Sequence, residues 1–160
     1  ADKAGWGKPL PSGHALGIAA TGELGTECAE VVEVSIEKGE IRVHKVTCAM
    51  DVGLAINPDG VRAQVEGAII MGLSACMYEK MEVRKGKITP TIFGPYRMAM
   101  MKDAPKEIDV VILEGDDRPS GVGEPPIGPI GAAIGNAVFN LTGKRLRNLP
   151  LQEEFKTLMG

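Results

Sequence analysis

A chain of 160 residues with 44% hydrophobic residues and a formal net charge of −3 is long enough to bury a core and has the composition of an ordinary globular protein. The acidic balance, with a pI of about 5.5 and no dense Lys/Arg face, argues against binding to a phosphate backbone. No apolar run approaches the roughly 18 residues that cross a bilayer, and no Ser-rich or low-complexity tract divides the sequence. Residues 1–160 are therefore expected to form a single domain.

In chain order, Gly22-Glu23-Leu24-Gly25-Thr26-Glu27 has too few glycines for a phosphate loop and is given no nucleotide role. From Glu30 to Glu37 the residues alternate, with Val32, Val34 and Ile36 opposed to Glu33, Ser35 and Glu37, the period of a half-buried strand. Lys38-Gly39 turns the chain into a second alternating run. There Ile41 and Val43 give way to Val46, Cys48 and Met50, and the parity slip at Lys45 predicts a bulge in a β-hairpin.

From Asp59 the period becomes helical. Val61, Val65, Ala68, Ile69, Gly72 and Cys76 share one face, with Asp59 as the predicted N-cap after Pro58. Gln64, Gly67 and Met71 fall on a different stripe. A second turn, Lys85-Gly86, links Met81-Glu82-Val83 to Ile88-Thr89, and Ile108, Val110 and Ile112 alternate in a further strand.

The last long helix is predicted over Gly128 to Thr142, apolar at Ile130, Ile134, Ala137, Val138 and Leu141 and stopped by Gly143. Lys144-Arg145-Leu146-Arg147 reads as its cationic C-terminal end. Gly128, Gly131 and Gly135 leave one side of it bare, each at about 1 kcal/mol relative to alanine. Something must pack close there, either a second helix or a cofactor. Met98, Met100 and Met101 read by default as flexible core filler, or else as a substrate or subunit contact.

Two long helices against hairpins give an α+β fold, with an antiparallel or mixed sheet and no Rossmann unit, because no G-x-G-x-x-G opens a helix after a strand. Cys28, Cys48 and Cys76 form no C-x-x-C pair, and with only His14 and His44 to help they make a poor zinc or iron–sulfur site. They read as small buried hydrophobes, and no metal ligand is expected among the side chains.

The stretch richest in chemistry is Gly121-Val122-Gly123-Glu124-Pro125-Pro126, where one carboxylate sits between glycines that allow a tight backbone and prolines that stiffen it. Two readings stand for Glu124. It is an acid near the positive end of a helix, or it is a preorganised base in a poorly solvated pocket.

The segment from Gly121 to Leu151, with Gly5 to Pro11, Cys48 to Ala75 and Tyr96-Arg97-Met98, resembles in order the C-terminal part of the molybdopterin-binding subunit of the molybdenum hydroxylases, the xanthine dehydrogenase and aldehyde oxidase superfamily. Within it the chain is most like the beta subunits of the isoquinoline 1-oxidoreductase type and their bacterial aldehyde dehydrogenase relatives. The resemblance implies a molybdenum–molybdopterin cofactor, in its plain or cytosine dinucleotide form. It also implies an oxidoreductase that hydroxylates an aldehyde or N-heterocycle with oxygen derived from water.

In that family the Glu of the Gly-x-Gly-Glu loop is the base, which here is Glu124. Gln64, within Gln64-Val65-Glu66-Gly67, would lie near the pterin with an amide that both donates and accepts, and Gly123, Gly128 and Gly131 would bring backbone N–H groups toward it. Glu66 and Asn57 are weaker candidates, suited to capping and turns. Arg97 would pair with an anion of the ligand or form a surface salt bridge.

The implied partners are the remainder of the subunit, an iron–sulfur subunit and the small-molecule substrate. Ala1-Asp2-Lys3-Ala4 lacks an initiating Met, so the chain reads as an excised portion of a longer polypeptide, inactive alone. It would be a soluble protein of the bacterial cytoplasm or periplasm, as upstream signals dictate. The alternative is a non-catalytic structural or subunit-docking module of the same fold.

Overall fold

Alternating apolar residues produce three long strands, β1 (His14–Glu23), β2 (Thr26–Glu37) and β3 (Glu40–Asp51), paired antiparallel in sequence order. The computed structural model describes every residue except Leu24 and Glu114, so Leu24 of the Gly22 to Glu27 stretch lies outside the described residues. Lys38 and Gly39 both take positive φ, 52° and 78°, the mirror-image turn whose twist matches its flanking strands. Lys85 and Gly86 repeat it between β4 (Glu82–Arg84) and β5 (Lys87–Thr89). The predicted bulge is present, since Val34 pairs with Val43 but Glu33 with Lys45, leaving His44 as the extra residue of β3.

Strand β6 (Glu107–Ile112) adds parallel to β3, so the sheet is mixed with order β1-β2-β3-β6. The parallel pairing needs a long crossover, and this one carries helix α1 (Pro58–Met77). Helix α1 and helix α2 (Ile127–Thr142) lie on one face of the sheet. The predicted stripe of α1 is buried, as are Ile130, Ile134, Ala137 and Val138 of α2, and both close over Val32, Val34, Val46 and Met50. Burying a side chain of this size contributes about 1.5–3 kcal/mol, which outweighs the glycine content of α2.

Three sequence expectations are corrected. Asn57, not Asp59, caps α1: its Oδ1 accepts the Gly60 N–H at 3.0 Å, and Pro58 fits the first helical position because its φ is already fixed there. The Lys144 to Arg147 cluster lies beyond α2 rather than inside it. Gly143 turns left-handed and bonds the Phe139 carbonyl at 2.8 Å, after which the Arg145 guanidinium folds back 3.5 Å from the centre of the Phe139 ring. Met98, Met100 and Met101 are exposed, Met101 by 93%, and fill no core.

Two elements had no sequence signal. Strand β1 packs through Ala15, Gly17 and Ala19, residues too small to register as an apolar alternation. A Cβ on Gly17 would stand 2.1 Å from the Ala133 carbonyl oxygen, so α2 rests directly on the strand. Asn136 and Asn140 of α2 donate to the carbonyls of Ile18 and Leu16 at 3.0 and 2.8 Å, which blunts the outer edge of β1. Helix α3 (Leu151–Met159) buries Leu151 and Phe155, and its buried Gln152 exchanges hydrogen bonds with the backbone of Ile41. No helix among the described residues is long and apolar enough to cross a membrane.

Candidate active site

The loop from Gly121 to Pro126 is held from three directions. The Glu124 carbonyl accepts the Ile127 N–H at 2.8 Å, closing a turn that leads buried Pro125 and Pro126 into α2. On the other side, Thr26 at the start of β2 is fully buried. Its Oγ1 stands 2.7 Å from Ser120 Oγ and donates to the Gly121 carbonyl at 2.5 Å. The Ser120 N–H donates to the Val52 carbonyl at 3.1 Å, and the Leu54 N–H donates to the Asp117 carbonyl at 2.9 Å. Gly53, with φ of 65°, lets this segment lie against the end of β3, since a Cβ there would stand 2.6 Å from the Arg118 carbonyl oxygen. The loop's backbone position is thus fixed by β2, β3 and α2 together.

Gln64 is exposed on α1, with its Oε1 3.2 Å from where a Cβ on Gly123 would be. Glycine at 123 leaves the amide room beside the loop. Gly128 is exposed, and its N–H lies in the first turn of α2, where no intrahelical acceptor exists. Gly67 meets nothing within 4 Å, and Met71, one turn further along α1, is also exposed.

The structure therefore sets Gln64 beside Gly123 and Glu124 on one rim, with Gly128 four residues further on in the first turn of α2. Gly131 has a different setting, because a Cβ there would stand 3.1 Å from the Cβ of Cys76, so its bareness serves the contact of α2 with α1. Gly72 on α1 does the same toward Ile130, at 2.7 Å.

The Glu124 side chain is exposed, so the described residues do not supply the poorly solvated pocket expected around it. They supply a cleft of about 250 Å³ beside the loop, lined by Leu54, Ile56, Asn57, Gly60, Ser120 and Val122. Asn57 is occupied as a cap, and Glu66 is exposed. Arg97 stacks 4.0 Å from the centre of the Tyr78 ring and pairs with Asp103 at 3.8 Å. It lines a polar groove of about 490 Å³ that shares no residue with the loop.

The rim offers one carboxylate, one amide and backbone N–H groups, with no Cys or His. That donor set suits an organic, hydrogen-bonding ligand, and it does not suit direct coordination of an ion. Thr26 and Ser120 were missed in the sequence. No local pattern marks a hydrogen bond between residues so far apart in the chain.

Residues 14–105 match the family described as the molybdopterin cofactor-binding domain. The chain is 41% identical over 142 residues to the isoquinoline 1-oxidoreductase subunit beta of Brevundimonas diminuta, a match that covers 88% of this chain and 18% of that protein. It is 37% identical over 158 residues to the membrane-bound aldehyde dehydrogenase [pyrroloquinoline-quinone] of Gluconacetobacter polyoxogenes, covering 94% of this chain and 20% of the relative. The chain thus spans about a fifth of the length of these relatives. Among solved structures, the aldehyde oxidoreductase of Desulfovibrio desulfuricans superposes with a TM-score of 0.69 at 27% identity, over 82% of this chain and 15% of that one.

Proposed function

The chain belongs to the molybdopterin cofactor-binding domain family of the molybdenum hydroxylases, and from that premise we propose that its Gly121 to Pro126 loop forms one wall of the active site of such an enzyme, with Glu124 as the catalytic base. Molybdenum–molybdopterin, plain or as the cytosine dinucleotide, would supply two-electron oxidation and the transfer of a water-derived oxygen to an aldehyde or N-heterocycle. The residues of this chain do the rest. Gln64 hydrogen-bonds the polar edge of the pterin through its amide, and the Gly128 N–H donates to an anionic or oxo group at the positive end of α2. Gly123 keeps the space between them open, and Gly131 holds α2 close enough to α1 for both to reach the same ligand.

Glu124 would take, at a carboxylate oxygen, the proton that the water-derived oxygen gives up as it bonds to the substrate carbon, while the hydrogen displaced from that carbon leaves with its electron pair to the bound cofactor. The remainder of the subunit would cover Glu124 and exclude water, while an iron–sulfur subunit takes the electrons. The chain alone would then be inactive.

The observation that carries this reading is an exposed carboxylate on a loop whose backbone is anchored on both sides, with the exposed Gln64 amide lying against the neighbouring Gly123. A helix-end acid needs no such anchoring. The test is elemental mass spectrometry for molybdenum on the full-length protein purified with its partner subunits, together with dye reduction by an aldehyde and by an N-heterocycle. Near-stoichiometric molybdenum with substrate-dependent reduction supports the reading. A protein free of molybdenum from a host that makes the cofactor, or one active only with added pyrroloquinoline quinone, overturns it.

A further inference from the structure

Beneath the loop, on the helix-covered face of the sheet, Cys28, Glu30 and Cys48 come together. Glu30 and Cys48 are cross-strand partners on β2 and β3, and Cys28 lies one side-chain repeat away on the same face. All three are buried, Glu30 and Cys48 with no exposed surface at all. The two sulfurs lie 3.6 Å apart, and one oxygen of Glu30 lies within 4.8 Å of both. Both Glu30 oxygens lack a hydrogen-bond partner, the only buried side-chain oxygens or nitrogens among the described residues in that position.

A buried carboxylate with nothing to satisfy it is a strong sign of a missing partner. Its chemistry is set by its neighbours, two soft thiols and one hard oxygen. We propose that Cys28, Glu30 and Cys48 bind a thiophilic divalent cation of the zinc type, with a water or the second carboxylate oxygen completing a tetrahedron.

The geometry selects that class. Two thiolates bound at about 2.3 Å in a tetrahedral arrangement stand about 3.8 Å apart, close to the separation here. A linear two-thiolate copper site would hold the sulfurs further apart, at twice one bond length. An iron–sulfur cluster would need four cysteines. Cys76 stays outside the site, because its thiol bonds the Leu73 carbonyl of its own helix at 3.5 Å. Three anionic ligands against a divalent charge leave a small residual charge in the core, whereas the same groups without a cation would have to hold their protons.

The site is structural in consequence. It ties β2 to β3 two residues from Thr26 and a short step from Val52, the points from which the Glu124 loop hangs. It does not depend on the catalytic reading of Glu124, since none of its three residues belongs to that loop or to α1.

The test is zinc content by elemental mass spectrometry on the full-length protein with its partner subunits, set beside Cys48→Ala and the apolar triple variant Cys28→Ala/Glu30→Leu/Cys48→Val. One more zinc per chain in the wild type than in either variant is the expected result. X-ray absorption at the zinc edge should then show two sulfur neighbours at about 2.3 Å. If Cys48→Ala fails to fold, the triple variant decides, because its apolar core needs no cation. Equal zinc in wild type and triple variant overturns the proposal, as does a zinc spectrum without sulfur.

Discussion

The two faces of α1 follow opposite rules. Toward the sheet and α2, Val65 and Ile69 are fully buried, and Gly72 is present because Ile130 leaves no room for a side chain. Away from it, Gln64, Gly67 and Met71 are exposed, and Gly67 has nothing near it to accommodate. Helix α2 repeats the contrast, with Gly131 pressed against Cys76 while Gly128 has only the Thr21 methyl at 4.0 Å. A glycine therefore means one thing where a neighbour demands it and another where nothing in this chain does. The second kind gathers around Gln64 and Glu124, as expected of a surface shaped for a group from outside the chain.

Substitution of the two kinds of glycine should break the symmetry most sharply. Gly17→Ala drives a methyl into the backbone of α2, where relief requires helix and strand to separate. We expect a loss of about 3 kcal/mol or more, seen as a large fall in Tm or as insolubility. Gly67→Ala should instead leave stability unchanged or raise it by up to about 1 kcal/mol from helix propensity, with no fall in Tm, while lowering cofactor content. Equal destabilisation by both would erase the distinction.

Next comes the anchor of the loop. Thr26→Val keeps the volume but strips the Gly121 carbonyl and Ser120 of a buried partner, at about 1–3 kcal/mol in denaturant melts, and loosens Glu124 enough to lower kcat more than it changes KM. Asn57→Ala removes a cap that no other group replaces and should cost about 1 kcal/mol of stability with turnover intact.

The smallest effect is one of pH. His44 stacks on His14 with ring centres 4.5 Å apart, and its value lies below the usual 6.5 because burial, then the His14 charge, disfavour its cation against the pull of Glu37 and Glu33. As pH falls below 6.5 the unfolded chain takes up this proton first, so the stability is complete above that value and is lost as pH falls toward the lowered one. Replacing His44 with Gln should flatten Tm against pH in that window.

What was legible in the sequence was whatever rests on period and turn chemistry. The Lys-Gly hairpins, the buried stripe of α1, the stop at Gly143 and the bulge beside Lys45 are local, and each was read from residues a few positions apart. Strand β1 escaped because Ala15, Gly17 and Ala19 are selected by an approaching helix rather than by apolarity. The cap of α1 sits two residues before the expected Asp59 because Asn57 acts across Pro58, and the exposure of the methionines removes their reading as core filler while leaving that of a contact surface.

The site divides along the same line. The motif marked Glu124 and Gln64, whereas Thr26, Ser120 and the Cys28–Glu30–Cys48 group depend on pairings that only the folded sheet creates. One signal was available, since Glu30 shares the parity of Val32 and Val34 and so had to point into the core.

The most direct test of the account is Glu124→Gln in the complete enzyme, with molybdenum content, melting temperature and turnover measured on the same preparation. Loss of turnover by a factor of about 100 to 10,000, with full molybdenum and an unchanged Tm, is the predicted result. Loss of molybdenum or of stability along with activity would contradict it and make Glu124 a structural acid at the mouth of α2.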